Sequence, residues 1–313
     1  MDSFTLRNKR VWVAGHNGMV GAAMVRRLQS EGCEILTAPK SELDLRRQID
    51  VEEWMAAYKP EAIVLAAARV GGIKANDDEP ADFLYDNLMI ETNVIHAAYK
   101  MRVQKLLFLG SSCIYPKLAA QPIAEDALMS GALEPTNDAY ALAKIAGIKL
   151  CQSYRKQYGC DFIAAMPCNL YGPGDTYDAQ RSHVIPALLM KLHQAKDDVS
   201  LWGTGTPLRE FLYVDDLADA LVFLLKNYSD KSHINVGSGA EISIADLAHE
   251  IAAVVGYEGK IAFDPAMPDG TPRKLMDSRR MNELGWQAQI SLRPGLQNAY
   301  ADYLKKVEQR DAA

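Results

Sequence analysis

Arg10-Val11-Trp12-Val13-Ala14-Gly15-His16-Asn17-Gly18-Met19-Val20-Gly21 begins as an apolar run and ends in a glycine-spaced turn. The run reads as a buried strand, and Ala22, Ala23, Val25 and Leu28 continue beyond the turn with helical spacing. Glycines in a G-x-x-G-x-x-G pattern let the backbone approach a pyrophosphate, let helix and strand pack closely, and leave the helix N-terminal N–H groups facing the anion. Strand, turn and helix in this order predict a dinucleotide-binding fold. Gly15, His16, Asn17, Gly18, Met19, Val20 and Gly21 are expected to line its phosphate cradle.

The same alternation runs outward from this stretch. Cys33–Ala38 reads as a second strand, Arg46–Tyr58 as a helix, Ala62–Ala67 as a third strand and Pro80–Lys100 as a long helix. Lys105–Gly110, a helix from about Thr136 to Tyr158, and Phe162–Met166 follow. Such alternation predicts an α/β fold, a Rossmann-type doubly wound parallel sheet covered on both faces, with its ligand crevice at the carboxyl ends of the strands. Val214-Asp215-Asp216-Leu217-Ala218 opens a helix returning to that sheet, with Asp215 or Asp216 near its cap, and Ile234–Gly237 reads as a further strand. The expected division is a cofactor domain over 1–172 with a return of about 212–238. A smaller α/β substrate domain takes 173–211 and 239–313, including helices at Val184–Gln194 and Ser243–Val255 and a polar C-terminal end.

Composition limits the partners. A chain of 313 residues, 49% hydrophobic, can bury a full core, and a net charge of −6 argues against nucleic acid or an anionic membrane as the main partner. Any polyanionic ligand must therefore be held by local cations. Met1 to Arg10 shows no charged-then-apolar leader, and no run reaches the length of a membrane span. Five cysteines (Cys33, Cys113, Cys151, Cys160 and Cys168) without a Cys-x-x-Cys pair suit a reducing, cytoplasmic setting with no disulfide framework and no metal site.

The candidate chemistry lies at the strand ends. In Ala139-Tyr140-Ala141-Leu142-Ala143-Lys144, helical spacing puts the Tyr140 hydroxyl and the Lys144 ammonium on one face. A free phenol titrates near ~10, and an adjacent cation favours its ionised form, so the pair is expected to deliver a proton from a phenol that Lys144 makes more acidic. The fourth strand ends in Leu109-Gly110-Ser111-Ser112-Cys113, where a serine can hydrogen-bond a substrate carbonyl that Tyr140 protonates. Ser111 is favoured for this role, with Ser112 as the alternative or as a turn filler. Lys144 can also hold the nicotinamide ribose. Beyond the second strand, Thr37-Ala38-Pro39-Lys40 lacks the acid that usually holds an NAD ribose. Lys40 suits a 2′-phosphate, so NADP is expected; the alternative gives the ribose to Glu42 or Asp44.

With these residues in place the chain resembles the extended short-chain dehydrogenase/reductases, and within them the branch that epimerises and reduces GDP-linked 4-keto-6-deoxy sugars. The resemblance is carried by the glycine turn, Ala66-Ala67-Ala68-Arg69-Val70-Gly71-Gly72-Ile73, Gly110-Ser111-Ser112-Cys113-Ile114-Tyr115-Pro116-Lys117 and Glu134-Pro135-Thr136-Asn137. It continues through Asn169-Leu170-Tyr171-Gly172-Pro173, Ser182-His183-Val184-Ile185-Pro186-Ala187-Leu188 and Pro268-Asp269-Gly270-Thr271-Pro272-Arg273-Lys274. It implies that GDP-4-keto-6-deoxy-D-mannose is inverted at C3 and C5 and reduced at C4 by NADPH to GDP-L-fucose. Cys113 would be the base and His183 the acid on opposite faces of the ring, although read alone Cys113 is a buried strand-end thiol and His183 a loop or cap residue. Leu109, Gly110, Ser111, Ser112, Pro167, Cys168, Asn169, Leu170 and His183 would also touch the cofactor. Lys191, Trp202, Arg209 and Asp269 would bind the GDP-sugar, for which cations and an aromatic wall are the fitting types.

The resemblance further implies a homodimer formed through the helices that begin at Pro80 and Thr136. Three positions depart from the family pattern. Asn17 stands where an arginine is frequent, Cys168 where threonine is usual, and Arg69 where lysine is common. Two other readings remain open from sequence: a sister enzyme acting on another GDP-4-keto sugar, a dideoxy hexose or a heptose, and a non-catalytic protein that senses NADP.

Overall fold

The computed structural model describes residues 4–178, 182–267 and 269–311, so Pro268 of the motif quoted above lies outside the described residues. The first half runs β1 (Arg10–Ala14), α1 (Met19–Leu28), β2 (Glu34–Leu36), α2 (Gln48–Tyr58), β3 (Ala62–Leu65), α3 (Ile73–Asp78), α4 (Pro80–Lys100), β4 (Lys105–Leu109), α5 (Asp138–Tyr158) and β5 (Phe162–Pro167). The second runs β6 (Asn169–Tyr171), α6 (Val184–Gln194), β7 (Val199–Trp202), β8 (Leu208–Tyr213), α7 (Val214–Asn227), β9 (Ile234–Val236), β10 (Glu241–Ser243), α8 (Ile244–Val255), β11 (Ile261–Asp264), β12 (Arg273–Lys274), α9 (Arg279–Glu283) and α10 (Leu292–Asp311).

Six strands form one sheet in the order β2-β1-β3-β4-β5-β9, every pairing parallel. Winding goes one way from β1 to β2 and the other way from β1 to β3. Right-handed crossovers therefore send α1 to one face and α2, α4 and α5 to the other, and α7 packs beside α1. Because both faces are covered, β3, β4 and β5 are buried along their whole length. The switch point at β1 and β3 opens the crevice where the glycine turn lies.

Element ends differ from the sequence expectation for local reasons. β2 keeps only Glu34–Leu36 because it is an edge strand that pairs with β1 alone. β3 stops at Leu65, where its partner β1 gives way to the Gly15 turn. α2 begins at Gln48 because Arg46 folds back onto Asp44 (Nη2 to Oδ2, 2.7 Å), which also accepts the Arg46 N–H. α5 begins at Asp138, after a short 3-10 turn over Pro135–Asn137 that proline favours.

A second apolar cluster stands apart from the sheet core. Tyr171, Leu189, Leu247, Ile251 and Leu296 are among its buried members, drawn largely from α6, α8 and α10. Its organising strand is β8, which pairs with β10 and β12 along its first half and with β6 along its second. The fully buried Glu210 carboxylate clips these strands together by accepting the Gly239 N–H (2.7 Å) and the Met276 N–H (2.9 Å). β7 pairs separately with β11.

Candidate active site

The glycine turn has the shape a dinucleotide requires. Gly15 sits at φ +92°, and a Cβ there would lie 2.6 Å from the Ala67 nitrogen. A Cβ on Gly21 would press into the Gly15 carbonyl, so α1 meets the turn too closely for any side chain. Gly18 caps α1 without a side-chain hydrogen bond, which leaves the helix N–H groups for an anion. These features fit the pyrophosphate of a dinucleotide, with His16, Asn17, Met19 and Val20 in the same turn. Lys40 stands exposed beyond β2. Asp44 is engaged by Arg46, whose hydrogen bonds hold its carboxyl down at about 2, so the acid alternative for the ribose narrows to Glu42.

Beyond β4 the chain makes a single 3-10 turn, Ser112–Ile114. The Ser111 hydroxyl accepts the Cys113 N–H (3.3 Å) and also meets the Tyr140 phenol from α5. Ser112 is buried inside the turn, so Ser111 is the serine that faces the phenol. The expected effect of Lys144 on Tyr140 is not what the structure contains. Burial pushes the Tyr140 phenol well up, the nearby Cys113 and Glu91 charges add to this, and only the Ser111 hydrogen bond opposes them. Lys144 is committed to Glu91 of α4 (Nζ to Oε1, 2.9 Å) and lies over the Phe108 ring, 4.7 Å from its centroid. Its charge is neutralised by a buried carboxylate that helical spacing gave no reason to expect.

Cys113 differs from every other thiol in the chain. Burial alone would raise it, yet the Lys274 charge, hydrogen bonds from Ser111 and Lys274, and the Arg209 charge outweigh burial and bring it below the usual value. Burial pushes the other four cysteines up, Cys168 and Cys151 most of all. Lys274, whose Nζ lies 3.5 Å from the Cys113 Sγ, is the chief residue the sequence reading missed. It was quoted there only as part of a motif.

His183 stands exposed as the N-cap residue of α6, with no capping hydrogen bond from its side chain. Among the described residues no hydrogen bond joins it to Ser111, Cys113 or Tyr140. Its charge is felt by Asp175, a buried residue with one carboxylate oxygen unpartnered. Burial raises the Asp175 carboxyl, and the Thr176 N–H and His183 draw it back. Asp175 is a second residue the sequence reading did not single out.

The substrate candidates fall into two groups. Arg209 is half-buried on β8, within reach of the charges of Asp269 and Cys113. Asp269 in turn accepts the Thr204 N–H (2.9 Å) and hydroxyl (2.7 Å). Lys191 donates to the Ser200 carbonyl (2.6 Å) on β7, beside Trp202, which is 69% exposed. Pro167 ends β5, the buried Cys168 donates its N–H to Val236 (3.0 Å), and Asn169 turns its amide to the Glu210 carbonyl (2.8 Å). Asn169 and Leu170 lie in β6, which bridges the sheet to β8. The segment thus sits at a carboxyl strand end but spends its one polar side chain on the fold. Arg69 is likewise structural, paired with Asp86 (3.0 Å) and Asp82 (3.2 Å).

A parallel sheet with a glycine cradle at its switch point, and a serine, tyrosine and lysine at the adjoining strand end, define a nucleotide-dependent epimerase or dehydratase. The chain belongs to the NAD dependent epimerase/dehydratase family, whose model matches residues 11–237. In particular, it is similar to the GDP-L-fucose synthase of Sinorhizobium fredii, to which it is 58% identical over 98% of this chain and 99% of the relative. Among solved structures, a GDP-L-fucose synthetase from Naegleria fowleri bound to NADP superposes with a TM-score of 0.90 at 26% identity, covering 98% of both chains. A GDP-6-OMe-4-keto-L-xylo-heptose reductase from Campylobacter jejuni superposes with a TM-score of 0.91 at 34% identity, covering 97% of this chain and 99% of that one.

Proposed function

We propose that this chain catalyses the GDP-L-fucose synthase reaction, inverting C3 and C5 of GDP-4-keto-6-deoxy-D-mannose and then reducing C4. The observation that carries this reading is the 58% identity to a GDP-L-fucose synthase along essentially the whole chain. NADPH, when bound in the glycine cradle, supplies the hydride. Residues 1–172 and 212–238 are assigned to the cofactor unit, with the remainder as the substrate unit; the two apolar clusters support most of this division, but Met276, Met281 and Trp286 pack in the sheet core and Tyr171 and Tyr213 in the second cluster. Lys40 is assigned to the 2′-phosphate. Lys191, Trp202, Arg209 and Asp269 are assigned to the GDP-sugar.

The residues give a consistent order of events. Protons on C3 and C5 are acidic because each carbon neighbours the C4 ketone, and hydrogen bonds from Ser111 and Tyr140 stabilise the enolate oxygen. Cys113, the one thiol below its usual range, takes the proton from one face, and His183 returns one to the other. Tyr140 then gives its proton to the C4 oxygen during reduction. Its raised phenol suits this role, because it arrives protonated at neutral pH. The buried Lys144–Glu91 pair fixes the helix that carries Tyr140.

Cys113→Ser is expected to abolish solvent deuterium entry at C3 and C5 while leaving hydride transfer to an already inverted sugar much less affected. Deuterium entry at the normal rate would remove Cys113 as the base. The likeness to a heptose reductase keeps one rival reading, the same machinery on a GDP-4-keto heptose. NMR identification of the products from both keto sugars with NADPH decides between them. We further assign a cytoplasmic homodimer built on α4 and α5, whose exposed Tyr85, Leu142 and Tyr158 supply apolar surface. A single-chain mass by light scattering would overturn the dimer.

A further inference from the structure

The cation beside Cys113 comes from the far end of the chain. β12 is only Arg273 and Lys274, laid parallel on β8 with Arg273 opposite Leu208 and Lys274 opposite Arg209. Successive strand side chains point to opposite faces. Arg273 goes outward to Glu241 (Nε to Oε2, 2.8 Å), so Lys274 turns inward on the same side as Arg209. Its Nζ donates to the Cys113 Sγ at 3.5 Å, and no carboxylate among the described residues pairs with it. The backbone that follows it is pinned: the Leu275 N–H donates to the Gln121 Oε1 (2.9 Å) and the Met276 N–H to the buried Glu210 (2.9 Å). The ammonium is therefore held by a fixed strand rather than a loop.

We propose that Lys274 is the positioning residue of the epimerisation, the counter-ion that keeps Cys113 as a thiolate beside the carbon next to the substrate ketone. This rests on the epimerase reading above. The thiolate takes the proton of the C–H bond and becomes S–H, and the electron pair of that bond moves toward the ketone oxygen to give the enolate. The His183 imidazolium then loses its N–H proton to the opposite face of the same carbon, leaving neutral imidazole. Solvent resets both groups, taking the proton from sulfur and returning one to His183. Lys274 stays an ammonium throughout. Two cations, Lys274 and Arg209, face the sulfur, together with the Ser111 hydroxyl and the protonated Tyr140 phenol. Arg209 also faces Asp269, which leaves Lys274 as the uncommitted charge.

The test uses the full chain as Lys274→Met and Lys274→Arg, with Lys274→Gln as a second neutral variant should the methionine form fail to fold. Alkylation of Cys113 by iodoacetamide, without substrate and followed on the Cys113 peptide by mass spectrometry, gives a pH midpoint. A neutral residue is expected to move that midpoint up by about one pH unit or more, slowing alkylation at pH 7 roughly tenfold, because an opposite charge at this range favours the ionised form. Arginine is expected to restore most of the loss. Solvent deuterium entry into the keto sugar should fall about tenfold in the neutral variant and recover as pH is raised, since it follows the thiolate fraction. A purely structural lesion would not recover in this way. A midpoint unmoved in a folded neutral variant overturns the proposal. A moved midpoint combined with normal deuterium entry in Cys113→Ser overturns Cys113 as base, and the catalytic half of the proposal with it.

Discussion

Replacing Glu91 by Gln should damage the fold far more than one uncharged-for-charged exchange on the surface would. Glu91 and Lys144 have side chains only 1% and 2% exposed, and they meet at 2.9 Å between α4 and α5. Neither Glu91 oxygen makes a well-aligned hydrogen bond among the described residues, so the pairing rests on charge. Burial raises the Glu91 carboxyl, and the Lys144 ammonium, followed by the Gly147 N–H, pulls it back. Removing one member of such a pair leaves the other charge buried alone and costs about 3–5 kcal/mol, whereas replacing both by apolar residues of similar volume is often close to neutral. We therefore expect Glu91→Gln and Lys144→Met each to lose about 3–5 kcal/mol, and Glu91→Leu combined with Lys144→Met to lose far less than the sum. Urea midpoints of the first unfolding transition, read with unchanged slope, measure all three. Losses that add to within about 0.5 kcal/mol would refute the reasoning, because independent sites behave that way.

Two further outcomes follow from the same geometry. Gly21→Ala forces a Cβ into the Gly15 carbonyl, so it is expected to open the phosphate cradle and weaken NADPH binding at least about tenfold, as read by fluorescence titration; unchanged affinity would contradict the close approach. His233 is almost fully buried, with its Nε2 3.0 Å from the Tyr115 hydroxyl, and burial followed by the Arg280 and Lys149 charges pushes its imidazole down to about 4. The unfolded chain takes up a proton below about 6.5 that the folded one refuses until about 4, so stability present above pH 6.5 is lost as pH falls across that window. The loss reaches about 3 kcal/mol at about 1.36 kcal/mol per pH unit. His233→Gln should flatten that part of the stability curve, and an unchanged acid limb would count against the assignment.

What could be read from sequence was whatever depends on near neighbours. The cradle at Gly15, Gly18 and Gly21 is legible because each glycine answers a local demand of turn or close packing. Ser111 and Tyr140 could be singled out because a strand end and a helix face are both periodic features, whereas Cys113, a buried strand-end thiol when read alone, was picked out only by the family resemblance. The influence of Lys144 on Tyr140 was argued from the same periodicity, and there the argument failed. Glu91 lies on another helix, and no spacing rule connects it to Lys144. Lys274 escaped notice because its place depends on a two-residue strand pairing with β8 across a large sequence distance. Asp175 escaped for a similar reason, since only the fold makes it buried and brings it near His183.

The clip at Glu210 has a bearing on how this enzyme can change. One inaccessible carboxylate fastens the segments that carry Arg209 and Lys274, so neither cation can be relocated without disturbing its companion. Retargeting to a different hexose or heptose should therefore proceed through the outer surface around Trp202 and Thr204, where substitutions leave the two cations beside Cys113 undisturbed.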